Sequence, residues 1–210
     1  MDEYFECFLQ HMGPETDRRE VPASTTKKYR GILPELMLSH WENYGWSGYA
    51  NGIFWTVNPA EYDAVVGPWL EQSGIANPDS YHVVARGAFG DLYLWQSVTG
   101  SKLTLDVNYH RFLLTSLKLS PSRADARVRS FFVSKNRTSN DFNGLFSKAL
   151  NKLGPLQPDE MYGFVPAIAL GGPGTLNTLQ KVKTIEHLTF LSQLSPLTDW
   201  GLPDLNDFNG

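Results

Sequence analysis

Gly171-Gly172-Pro173-Gly174 lies between an apolar run led by Tyr162 and a stretch of apolar residues at near-helical spacing. A glycine-rich turn ahead of a helix is the arrangement that grips phosphate through backbone N–H groups. The surrounding residues do not support that chemistry. A Walker-type loop needs a Lys-Ser/Thr pair directly after its last glycine, but Gly174 is followed by Thr175-Leu176-Asn177. Pro173 also removes a backbone donor. The dinucleotide fingerprint fails as well, because no third glycine falls at the required position and no strand-rich repeat surrounds the segment. The segment therefore reads as a chain reversal, with Thr175 capping the helix that follows.

The other reactive side chains do not assemble by spacing. His11, His40, His82, His110 and His187 include no pair at helical or strand spacing and no HExxH. Cys7 is the single cysteine, so it has no partner for a disulfide or a local zinc site. No serine stands in a Gly-x-Ser-x-Gly elbow. Asp159-Glu160 reads as charge favoured near a helix N-terminus. Glu186-His187 reads as the polar edge of a helix. No active site, metal or cofactor is expected. Arg127, Arg129, Lys135 and Arg137 form a short basic tract, read as a solvated face in the absence of a nucleic-acid module. Trp55 and Trp69 are expected in the core, whereas Trp46 and Tyr49, in glycine-rich sequence, are candidates for exposed interface anchors.

The elements that position these residues follow from periodicity. Phe5, Phe8, Leu9 and Met12 mark a short helix ended by Gly13-Pro14, and residues 15–26 read as a loop. A helix over Glu35 to Tyr44 carries Leu36, Leu38 and Trp41. Asn51-Gly52 marks a turn before the strand Ile53 to Val57. Asn58-Pro59 opens a helix to Gln72, expected to bend or break at Gly67-Pro68. Tyr81 to Ala85 and Leu92 to Gln96 pair around a glycine-bearing turn, and Leu103, Leu105 and Val107 alternate as a half-buried strand does. After an extended segment, Phe112 to Leu117, helices are expected over Ser122 to Val133 and Asp141 to Leu153. Leu176, Leu179, Val182, Ile185 and Leu188 recur every third residue, which predicts one long helix to Leu194. The fold class is α+β: an N-terminal mixed domain with an antiparallel sheet (1–107) and a mostly helical C-terminal domain (108–210).

With 210 residues, 41% of them hydrophobic, the chain has enough apolar material for a large core. A formal net charge of -4 argues against direct nucleic-acid binding and suits a basic protein partner. One cysteine, an acidic start without a secretion signal, and no apolar run near bilayer-spanning length point to a cytoplasmic location without membrane contact. Asp199, Asp204 and Asp207 make the tail acidic.

Tyr29-Arg30-Gly31-Ile32-Leu33-Pro34, then Trp41, Gly45 and Gly52-Ile53-Phe54-Trp55-Thr56-Val57-Asn58-Pro59 with Tyr62, resemble the GAD-like domain of bacterial immunity proteins. Lys152-Leu153-Gly154-Pro155-Leu156, Asp159 to Ala167, Leu170-Gly171-Gly172 and Glu186-His187-Leu188 resemble the helical domain that follows it in that family. The likeness is to Tdi-type immunity proteins of type VI secretion systems, which neutralise toxic DNases. It implies a non-enzymatic antitoxin whose partner is a cognate DNase effector. The candidate contact residues are Tyr162, Gly163, Gly171, Gly172, Gly174, Lys181, Lys183, Glu186 and His187. Two other readings stay open from the residues: a small-molecule enzyme using Cys7 or a histidine, and a tRNA- or nucleotide-sensing module.

Overall fold

The computed structural model describes residues 2–97, 99–115 and 123–201. Helix α1 (Glu3–Met12) starts where the Asp2 side chain accepts from Tyr4 N at 3.0 Å, and it buries Phe5, Phe8 and Met12. The predicted loop after it contains an edge strand, β1 (Thr16–Arg19), and a helix, α2 (Ala23–Tyr29). Thr-Asp-Arg-Arg has no apolar alternation to reveal a strand; pairing of Thr16 with Gly48 and Arg19 with Trp46 makes it one. Helix α3 (Glu35–Tyr44) matches its predicted span.

The central sheet continues with β2 (Trp46–Tyr49), β3 (Phe54–Thr56), β4 (Tyr81–Gly87), β5 (Leu92–Gln96), β6 (Lys102–Asp106) and β7 (Arg111–Thr115). Each neighbour pairs antiparallel up to β7. The last strand, β10 (Thr198–Asp199), adds parallel to β7, giving eight strands among the described residues. Asp204 and Asp207, like Leu117 and Ser122, lie outside the described residues.

Helices cover both faces. Phe54 meets Phe8 at 5.8 Å and Phe131 of α5 (Ala124–Val133) at 6.2 Å between ring centroids. Strand alternation sends Trp55 to the opposite face. There the Arg86 guanidinium lies 5.0 Å above its ring, beside Tyr62 at the start of α4 (Asp63–Gln72). α4 runs through Gly67-Pro68 without the predicted interruption, because Val65, Val66, Trp69 and Leu70 anchor it on either side. Trp46 and Tyr49 are buried along with Trp55 and Trp69, so the two proposed exposed anchors are core residues.

The second half contains α5, α6 (Leu145–Leu153), and a separate hairpin of β8 (Glu160–Phe164) with β9 (Leu179–Lys183), followed by α7 (Thr184–Ser192). The long helix predicted from Leu176 does not form. A short 3-10 turn (Leu176–Thr178), strand β9 and the two-and-a-half-turn α7 replace it. Antiparallel pairing of β9 with β8, from Glu160↔Lys183 to Phe164↔Leu179, overrides the local period. Thr175 and Thr178 cap the 3-10 turn reciprocally. Arg86, fully buried, ties the halves together by donating to Pro158 O at 3.0 Å, and Tyr162 N donates to Ala88 O at 2.9 Å.

Candidate functional site

The glycine segment and the hairpin beneath it form one compact unit. The chain leaves β8 at Phe164, turns through residues 165–174 and returns as β9. Four backbone bonds brace the turn: Val165 N to Thr178 O (2.7 Å), Leu170 N to Ala167 O (3.0 Å), Gly171 N to Ile168 O (2.8 Å) and Gly172 N to Ala167 O (3.0 Å). Gly171 takes φ 83°, a left-handed conformation that favours glycine. Gly172 answers to space instead: a Cβ there would lie 2.2 Å from Pro166 O and 2.8 Å from Ala167 O. The side of Gly174 packs toward Ile168.

This bracing holds an apolar tip in solvent. Leu170 is 60% exposed and Val165 43%, with Pro166, Ala169 and Pro173 exposed around them. Leu170 reads from sequence as part of an apolar run; only the turn geometry reveals that it points outward. Gly172→Ala is expected to destabilise the loop by about 1–3 kcal/mol through overpacking. Each kcal/mol lowers Tm by roughly 2–4 °C in a chain of this size, so calorimetry reads the effect directly. An unchanged Tm would show that the loop gives way without strain.

The nine residues proposed from sequence separate into two groups. Gly171, Gly174, Lys181, Lys183 and Glu186 reach the surface or its margin, with Gly172 half-buried between them. Tyr162, Gly163 and His187 are buried. The Tyr162 hydroxyl donates to Gly154 O at 2.7 Å, and burial pushes its pKa up to about 12. Gly163 exists for close approach: a Cβ would lie 2.7 Å from His187 Nε2 and from Val182 Cγ2. The His187 imidazole is thereby packed against β8 rather than on a polar edge, and burial lowers its pKa. The lysines on β9 are held by carboxylates. Lys183 Nζ donates to Asp159 at 2.6 Å, and Lys181 lies 3.5 Å from Glu160. Asp159-Glu160 thus leads into a strand and pairs across the hairpin; it does not start a helix.

The basic tract is partly solvated: Arg137 is exposed and the Arg129 side chain 40% exposed, while Arg127 is buried. Arg127 donates to Gly100 O, Arg129 to Asp2 at 2.8 Å, and Arg137 to His11 O at 3.4 Å. Lys135 sits 3.6 Å from the Tyr93 ring centroid. These contacts fasten α5 and the segment after it to α1 and the sheet.

Cys7 and His11 share one helix face, with Sγ 3.7 Å from Nδ1. Nδ1, however, lies 2.7 Å from the Cys7 carbonyl oxygen and donates there, so it has no lone pair to take the thiol proton. Among the described residues no group of three or more His, Cys, Asp or Glu side chains is placed to hold a metal. No helix among them is long and apolar enough to cross a membrane.

A mixed N-terminal half built on an antiparallel sheet, followed by helices around a loop-bearing hairpin, defines a known pairing of domains. Residues 3–109 match the GAD-like domain, and the chain belongs to that family. Residues 125–195 match the T6SS immunity protein Tdi1, C-terminal, and this second match supports an immunity role in type VI secretion. The crystal structure of Atu4351 from Agrobacterium tumefaciens shares the fold, with a TM-score of 0.84 at 20% identity over 95% of this chain and 94% of that one. No curated protein matches the chain.

Proposed function

We propose that the chain neutralises a cognate DNase effector by stoichiometric binding, without catalysis, in the cytoplasm of the cell that makes it. The apolar tip at residues 165–174 is the anchor of the contact, while Lys181 and Lys183 run down β9 toward the far end of the hairpin. The braced, solvent-facing Leu170 carries this reading. A rigid exposed leucine binds with little loss of conformational entropy, which is the condition for a strong anchor. The immunity match of the surrounding domain supplies the class of partner.

Co-purification with the effector, followed by inhibition of DNA cleavage at increasing molar ratio, tests the function. Inhibition that completes near equimolar protein supports it; complete inhibition far below equimolar protein would mean turnover and remove it. Leu170→Asp is expected to weaken effector binding at least about thirtyfold, roughly 2 kcal/mol, with Tm unchanged because the side chain is exposed. Undiminished affinity would take the anchor off this loop.

A further inference from the structure

The N-terminus of α1 and the outer side of α3 enclose a cleft of about 390 Å³, lined by Asp2, Phe5, Ser39, His40, Asn43 and Tyr44 among others. Three of these are rings set close together: Phe5 lies 4.2 Å from His40 and 4.5 Å from Tyr44, centroid to centroid. Asp2 is fixed in place by Arg129 at 2.8 Å and by Tyr4 N at 3.0 Å. Around the rings the charge is mainly negative. Asp2 and Asp125 act on His40 against one guanidinium, that of Arg129, while Glu6 and Glu15 act on Tyr44.

His40 is the unexplained member. It is 7% exposed, and neither ring nitrogen has a hydrogen-bond partner. A buried imidazole left this way lacks bonds that a group from outside can supply.

We propose that this cleft receives a cationic side chain, arginine or lysine, presented by the effector. This deepens the function proposed above and rests on it for the identity of the partner. Aromatic faces flanked by carboxylates are the chemistry that takes a guanidinium or ammonium group. An anion would meet the Asp2 carboxylate in the lining instead. Burial pushes the His40 pKa down to about 4, so the ring is neutral at neutral pH. The ring therefore does not repel a cation. A DNA-cutting partner needs cationic side chains to hold phosphates, and the acidic chain meets such a surface with favourable steering. The site lies on the GAD-like half, away in sequence from residues 165–174, and would give the partner a second point of attachment.

The probe is N-acetyl-arginine methylamide, titrated into the isotope-labelled full chain while the His40 and Tyr44 resonances are followed. N-acetyl-citrulline methylamide, similar in shape but uncharged, is the control. Saturable shifts at both residues with the arginine probe, about tenfold weaker with citrulline, are expected. Glu6→Gln with Glu15→Gln, both outside the core, weakens the arginine response, and His40→Phe abolishes it while keeping a ring between Phe5 and Phe132. Equal response to the two probes, or no saturable shift at His40 and Tyr44, overturns the cationic site. An arginine response combined with unaltered effector affinity in the Glu6→Gln/Glu15→Gln chain overturns the choice of partner. Neither failure touches the Leu170→Asp experiment, which reads a different surface.

Discussion

Arg86→Ala lowers stability by about 3–5 kcal/mol, the range of large-to-small core replacements, increased by the acceptor it strands. The guanidinium is fully buried over Trp55, and it donates to Gly87 O at 3.3 Å and Pro158 O at 3.0 Å. Among the described residues no carboxylate pairs with it; burial lowers its pKa, opposed chiefly by Tyr62. Removing the side chain opens a cavity between β4 and the segment leading into β8 and leaves Pro158 O without its donor, while Gly87 O keeps Gly90 N at 3.3 Å. Arg86→Met fills much of the space and restores no donor. Its loss should therefore be smaller than that of the alanine variant, and the difference separates volume from hydrogen bonding. Urea unfolding of the three chains measures both. A change below about 1 kcal/mol for Arg86→Ala would mean that the halves are held together without this residue.

Acid weakens the protein through His40. Burial takes its pKa from the ordinary 6.5 down to about 4 in the folded chain. Between those values the unfolded chain binds the extra proton, so stability is full above the unfolded pKa and falls as pH drops from about 6.5 toward 4. A shift of that size corresponds to about 3 kcal/mol. His82, His110 and His187, also lowered by burial, act in the same direction. Asp91 opposes them: burial raises its pKa to about 7, so it favours the folded state as pH falls from about 7 toward 3.8. Lys135, pushed down to about 7 from 10.5, already contributes in the same direction at pH 7.5, but equally in both chains, so it cancels in their comparison. The comparison is therefore the wild-type chain against His40→Phe, each unfolded in urea at pH 7.5 and 4.5. The variant should lose roughly 2–3 kcal/mol less on acidification. Equal losses would show that His40 is not the group responsible.

The sequence made the local helices readable and concealed the long-range strands. α1 and α3 follow from Phe5, Phe8 and Met12 and from the Leu36–Trp41 stretch, because each buries one face at helical spacing. The β4–β5 hairpin is legible for the same reason: its partner is the next segment in the chain. β1 has no apolar residue to give it away, and its pairing with β2 crosses two helices. The stretch from Leu176 to Leu188 misleads because a period of three serves a 3-10 turn, a strand and a helix in succession. Only the return pairing with β8 decides which residues are which. The same pairing buries Tyr162, Gly163 and His187 and leaves Leu170 outside. The family likeness was legible in the glycine, proline and tryptophan positions, which are the residues that fix turns and core volume.

The parallel placement of β10 beside β7 has a kinetic meaning. Thr198 pairs with Arg111 and Asp199 with Phe112, while Trp69 Nε1 donates to Ser195 O and Leu197 N donates to Ser73 Oγ. During synthesis the β7 edge and the α4 surface therefore wait for residues 195–199 to emerge from the ribosome. Such distant contacts slow folding, and an open strand edge invites pairing with other chains. A nascent chain halted before residue 195 would carry most of the sheet with that border unsealed, a natural substrate for chaperones.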